Sequence, residues 1–368
     1  MTSDIGKIVT VDGRMSPDEL GVTSTHEHLF IDAVDAWYEP PEAAYERAVA
    51  SEPVSMDNLW YTRRNPMQHE DNLRLNSMEE AIDEVSHFAR AGGDTIVDVT
   101  PNNIGRDPKR VRAVARETGL NFVHGTAYYT QPAHPDRFAS LSPAELEEKA
   151  EAEFVSDVRD GIGETDVRAG IVGEIGLSNH IHPDEEAILR AGARAARRTG
   201  AALTIHPRAD QKEPEGSDDA DVAVGARGAR HRGSGRPRAR AGNNRSHGPD
   251  DIRGPRVPEG TRRAGATLEY DVWGLEAYLD DFDDAYPSDS WRVDAVCELL
   301  EAGHGSNLVF GHDVYIKIQR RKYGGFGYGH ILENVVPMLK SRGVDDETIT
   351  QILVENPKEI LTFVEPEE

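Results

Sequence analysis

The sequence predicts an α/β protein built as a (β/α)8 barrel. Three observations carry that reading. Short apolar runs alternate with helical stretches along most of the 368 residues, and side chains able to hold a metal gather at the C-terminal ends of the runs. The rhythm also drops one strand after the fifth run, as if an eight-stranded ring had its sixth strand disrupted.

The runs can be taken in order. Residues 21–30 form the first and contain Thr25-His26-Glu27-His28. A segment at 77–88 with apolar residues at helical spacing then feeds a second run at 94–100. Residues 121–126, 169–176 and 202–206 are the third to fifth runs, with a helical pattern at 183–196 before the fifth. Runs at 266–271 and 307–313 complete seven. Strand-then-helix repeats imply a parallel sheet, because parallel neighbours need a crossover connection. One barrel is expected to occupy residues 1–368, with 213–263 as an atypical insert.

Composition removes several function classes. The chain carries 41 Lys+Arg against 66 Asp+Glu, a formal charge of −25, which opposes nucleic-acid binding unless a basic patch is segregated. Its single cysteine, Cys297, excludes a disulfide framework or a thiolate zinc module, so any metal must be held by histidines and carboxylates. The N-terminal Met1-Thr2-Ser3-Asp4-Ile5-Gly6-Lys7 lacks the features of a leader, and no apolar run approaches the roughly 18 residues of a membrane helix. A cytoplasmic protein with no membrane and no nucleic-acid partner is expected.

The charge is unevenly spread. Residues 227–263 hold 11 arginines and three acids, leaving 30 basic and 63 acidic residues elsewhere, a charge of about −33. That acid density suggests a high-salt, halophile-like cytoplasm. Between Leu203 and Leu268 there is no Leu, Met, Phe, Tyr or Trp, so the stretch cannot bury a core. A solvated linker, an anion- or RNA-binding arm and a locally frame-shifted translation compete; the last is favoured.

The strand ends suggest chemistry. In His26-Glu27-His28, alternation along a strand points both imidazoles to one side and Glu27 to the other. Glu174 stands between glycines in Gly173-Glu174-Ile175-Gly176, His206 ends Thr204-Ile205-His206, and Asp313 ends the last run. Each alone has a bland explanation, such as a core histidine or a solvated loop acid. Together they form a donor set of imidazole and carboxylate that suits zinc, manganese or iron. His180 and His182 repeat the spacing but precede a helix, and Asp98 and Asp271 read equally as bracing residues or strand caps.

With these motifs the sequence resembles the phosphotriesterase family of the amidohydrolase superfamily. The resemblance rests on Thr25-His26-Glu27-His28-Leu29, Gly173-Glu174-Ile175-Gly176, Thr204-Ile205-His206-Pro207 and Asp313-Val314, with Tyr323-Gly324-Gly325-Phe326-Gly327-Tyr328 and Asn356-Pro357 downstream. It covers nearly the whole chain except roughly 212–263. It implies two divalent ions, zinc foremost, with manganese, cobalt or iron(II) as alternatives. His26, His28 and Asp313 would hold the buried ion and His206 the exposed one, with Glu174 bridging them where many members have a carboxylated lysine. A bridging hydroxide would attack a phosphoester, lactone or ester centre, and Asp313 would carry its proton away. Tyr128 falls where members often place a pocket tyrosine. The exposed ion's second histidine is expected on the sixth strand, where the only candidate is His247, inside the arginine-rich stretch.

The expected activity is therefore a binuclear zinc-dependent ester or phosphoester hydrolase acting on a small molecule. The alternatives are a lactonase or amidase on the same site, or an impaired product with an incomplete metal site. The resemblance leaves room for a homodimer. The glycine-rich 323–328 segment reads as a mobile loop over the barrel mouth.

Overall fold

A computed structural model describes residues 4–178, 180–207, 266–275, 278–279, 284–285 and 287–367. The expected insert at 213–263, with His247, lies outside the described residues.

Among the described residues seven strands contribute to the barrel. The first five, β1 (Thr23–Glu27), β2 (Thr95–Asp98), β3 (Asn121–Thr126), β4 (Ile171–Leu177) and β5 (Ala202–Pro207), form one sheet in that order. Two more, β6 (Leu268–Tyr270) and β7 (Leu308–Phe310), pair with each other in parallel, Leu268 opposite Leu308 and Tyr270 opposite Phe310. The ring closes where β7 returns to β1. Asp313 N donates to His26 O at 3.0 Å, and Thr25 Oγ1 donates to Phe310 O at 3.0 Å. Gly311 permits this approach, since a Cβ there would lie 2.7 Å from His26 N. This is the (β/α)8 arrangement the sequence predicts.

Helices cover the outside and are locally well specified. The longest among the described residues are α1 (Met78–Arg90), α2 (Pro108–Thr118), α3 (Pro143–Arg159), α4 (Pro183–Thr199) and α5 (Asp289–Glu301). Ser77, Asp107, Ser142 and Ser288 each accept a backbone N–H at a helix start, and α2, α3 and α4 begin with proline, whose missing N–H is harmless there. α2 and α4 end at Gly119 and Gly200 in the left-handed conformation. Beneath them, Ile96 and Phe122 pack with Val85 and Phe88, and Val172 and Leu203 pack with Ile188 and Ala191. Each such side chain, fully buried, contributes about 1.5–3 kcal/mol before entropy is counted. Because the outward faces of the strands are apolar, the polar strand ends are left to line the mouth.

Two strand irregularities matter for the site. The β1–β2 register shifts between Ser24 and Glu27, and the β4–β5 register shifts between Val172 and Ile175, around Glu174. Gly173 makes the second possible: its φ is +144°, and a Cβ would meet Thr204 Cγ2 at 2.2 Å.

The glycine-rich segment differs from the expected mobile loop. Gly327 N donates to Gln319 O at 2.8 Å, and the Tyr328 hydroxyl, fully buried, donates to His28 O at 2.8 Å. Its glycines permit close backbone packing, so the segment is fastened to the site. Among the described residues no helix is long and apolar enough to cross a membrane.

Candidate metal centre

Side chains from four strand ends converge inside the barrel mouth. His26 and His28 leave β1 on the same side, as strand alternation requires, with ring centroids 5.4 Å apart. Glu174, in the β4 irregularity, faces three imidazoles. Its Oε1 lies 3.3 Å from His28 Nε2, and its Oε2 lies 3.5 Å from His26 Nε2 and 3.3 Å from His206 Nδ1. Asp313 Oδ1 completes the group, 3.2 Å from His28 Nε2 and 3.8 Å from His26 Nε2. The side chains of His26, His28 and Glu174 are 2–3% exposed, Asp313 is 11% and His206 is 17%, so the site opens to solvent past Asp313 and His206.

The backs of the two β1 histidines are held. His26 Nδ1 meets Glu269 Oε2 at 3.2 Å and Asp271 Oδ2 at 3.6 Å. His28 Nδ1 meets Thr100 Oγ1 at 3.0 Å. With Nδ1 engaged in this way, each ring turns Nε2 toward Glu174 and Asp313, the orientation of imidazoles that ligate a metal. Asp98 braces the backbone around His28 by accepting from Leu29 N at 3.0 Å and Thr100 N at 3.1 Å.

Two buried atoms are informative. Among the described residues His26 Nε2 and Glu174 Oε2 have no hydrogen-bond partner although their side chains are almost wholly enclosed. Buried polar atoms in native proteins are nearly always satisfied. A cation between them would satisfy both, and the donor set of three imidazoles and two carboxylates without thiolate fits a divalent ion. The triads His26–His28–Glu174 and His26–Asp271–Asp313 each bring their ligand atoms close enough together to hold one.

The electrostatics agree. Burial pulls the His26 pKa down, yet the Glu174 charge and the Glu269 hydrogen bond outweigh it and hold that pKa well above the ordinary histidine value. Burial likewise pulls His28 down, and Asp313 and Glu174 raise it overall. Burial pushes Asp313 up, but the hydrogen bond to His28 and the charges of the three imidazoles bring it below the usual carboxylate range. A divalent ion would replace the imidazole protons in balancing these carboxylates.

Of the residues singled out in the sequence, His26, His28, Glu174, His206 and Asp313 are brought together, and His247 lies outside the described residues. Tyr128 is placed elsewhere. It packs against Phe138 and Phe154, and its hydroxyl donates to Glu153 at 2.9 Å; burial pushes its pKa up to about 12. The next residue, Tyr129, has its ring 5.2 Å from His206 and 5.5 Å from Trp37. His180 and His182 are exposed, His182 at the N-cap of α4. Sequence reasoning missed Glu269 and Thr100. A charged residue in the middle of the apolar run Leu268-Glu269-Tyr270 was the available signal for the first; nothing marked the second.

Barrel, mouth and donor set together define a hydrolase class. The chain belongs to the phosphotriesterase family, whose sequence profile it matches over residues 6–218 and 259–361. The interruption falls within the stretch that breaks the apolar pattern. Its relatives include the N-acetyltaurine hydrolases of Dictyostelium discoideum, Danio rerio and Homo sapiens, at 33%, 35% and 33% identity. Those alignments cover 99%, 97% and 99% of this chain and 100%, 98% and 100% of the relatives. A resiniferatoxin-binding protein from Rhodobacter sphaeroides is similar in structure, with a TM-score of 0.79 at 28% identity over 98% of both chains. A phosphotriesterase homology protein from Escherichia coli, crystallised with phosphate in its active site, shares the fold at a TM-score of 0.64 and 21% identity, over 94% of this chain and 99% of that one.

Proposed function

We propose that this hydrolase is a binuclear, zinc-dependent amidase that cleaves a small N-acyl compound of the N-acetyltaurine type. The observation that carries the metal reading is Glu174, a buried carboxylate whose oxygens lie 3.3 to 3.5 Å from nitrogens of His26, His28 and His206. Charge supports two ions. Glu174, Glu269, Asp271 and Asp313 are four buried carboxylates around His26, and two dications would neutralise them where isolated anions are costly. Full-length relatives named for an amide substrate favour the amidase reading over the phosphoester and lactone readings.

In this reading His26, His28 and Asp313 would hold the buried ion, His206 would hold the exposed one with His247 as its further candidate, and Glu174 would serve both. When bound, the ions supply an activated water and polarise the acyl oxygen. The protein's own groups do the rest. Glu269 and Thr100 keep both β1 imidazoles turned inward. Asp313 accepts the proton of the attacking water and passes it to the amine nitrogen as the C–N bond breaks, leaving a carboxylic acid and a free amine. Tyr129 supports His206 by packing its ring 5.2 Å from the imidazole.

The test is metal content and rate measured on the full-length protein loaded with zinc. About two equivalents and fastest turnover of N-acetyltaurine, compared with a γ-lactone and a phosphotriester, are expected. Two equivalents with faster lactone or phosphotriester turnover would overturn the amide assignment. One equivalent or none, without turnover, would favour the impaired product.

A further inference from the structure

Glu27 lies between the two β1 histidines in sequence and on the opposite side of the strand in space. The register shift in β1 turns Ser24 and Glu27 to the same outer face. The carboxylate is fully buried, and a buried anion is costly unless its lone pairs are filled. Here three of the four donors come from His312 and Val314. Glu27 Oε1 accepts from His312 N at 2.9 Å, from the His312 imidazole Nδ1 and from Ser24 Oγ, while Oε2 accepts from Val314 N at 3.2 Å. His312, also fully buried, accepts Ile331 N at its Nε2 at 3.0 Å, which leaves the ring proton on Nδ1, facing Glu27.

The residue enclosed by these bonds is Asp313. Its two neighbours' amides both end on Glu27, its own N–H goes to His26 O at 3.0 Å, and its carbonyl accepts from Gln319 Nε2 at 2.7 Å. Asp313 has φ +48°, an uncommon left-handed conformation for a non-glycine residue, which persists where surrounding bonds over-determine it. That backbone twist aims Oδ1 at His28 Nε2, 3.2 Å away.

We infer that Glu27 and His312 are positioning residues that clamp the backbone on both sides of Asp313 and thereby set the metal-binding geometry from behind the strand. The inference rests on the metal reading of the preceding section. One face of the His-Glu-His motif presents imidazoles, and the other fastens the third ligand of the same ion.

The test compares substitutions at both residues in the full-length protein by chelator-competition metal affinity, by kcat and KM, and by thermal unfolding without metal. Glu27→Gln puts an amide NH2 against a backbone N–H, and is expected to weaken zinc binding at least about tenfold and to lower kcat with KM nearly unchanged. His312→Asn can still donate from the Nδ1 position, whereas His312→Gln reaches only the Nε2 position. Asn is therefore expected to keep the affinity that Gln loses, by about tenfold or more. If Glu27→Gln does not fold, this pair decides. Equal affinities for the Asn and Gln variants, or a change confined to thermal unfolding, would overturn the clamp. A parent protein that binds no metal would overturn the metal reading, and the clamp with it; a metal-binding parent whose variants bind equally well overturns the clamp alone.

Discussion

The raised pKa values of His26 and His28 have two consequences of opposite sign. Metal must displace protons that these imidazoles hold strongly, so zinc affinity is expected to rise with pH, as chelator competition at about pH 6 and pH 8 would show. In the metal-free protein, a histidine raised on folding contributes stability that is fully present below its unfolded value near 6.5 and lost as pH climbs through the folded value. The metal-free melting temperature is therefore expected to fall from neutral toward alkaline pH, while the loaded protein gains affinity. Glu269→Gln should weaken zinc binding about 10- to 100-fold by freeing the His26 ring, measurable by the same competition. The five ligand-type residues at strand ends were legible in the sequence because strand alternation alone turns His26 and His28 together. Thr100 was illegible because a threonine after a strand has many uses, and only the fold brings its hydroxyl to His28. Tyr128 and Tyr129 were confusable for a similar reason, since one residue of register separates the core under α3 from the ring beside His206.

At the scale of elements, the β4 irregularity and the β7–β1 approach decide whether the ligands meet. Gly311→Ala would set a Cβ 2.7 Å from His26 N, so a loss of about 1–3 kcal/mol in denaturant unfolding is expected, together with weaker metal binding. Strands and helices were largely readable. The run expected at 121–126 is β3, and the helix pattern at 183–196 is α4 to Thr199, because proline, acids in the first turn and a terminal glycine mark its ends. The outer strands shrank: 307–313 became Leu308–Phe310, since Gly311 onward leaves the ladder to carry His312 and Asp313. The glycine-rich segment was misread for a physical reason. Glycine signals freedom in isolation, but here it permits backbone contact with Gln319 and lets Tyr328 reach His28 O.

Over the whole molecule, 66 acids against 41 bases leave an excess of negative charge that repels itself at low salt. Raising potassium chloride from about 0.1 M to about 1 M shortens the screening length from about 10 Å to about 3 Å, and the melting temperature is expected to rise. A flat response would remove the high-salt reading. The barrel itself was legible from seven alternating units. The interruption was legible too, and the family profile breaks at 219–258, within it.

Where the ring closes also bears on the order of folding. The bonds that join Glu27 to His312 span 285 residues, so they close a large loop and are expected to form late. Of the three ligands proposed for the buried ion, His26 and His28 sit on one side of that closure and Asp313 on the other. Zinc would then find no complete site on a partly folded chain, and capture of the ion during refolding, followed by a fluorescent zinc indicator, would coincide with the final step rather than precede it. A metal-capture phase faster than the recovery of native structure would show the opposite order.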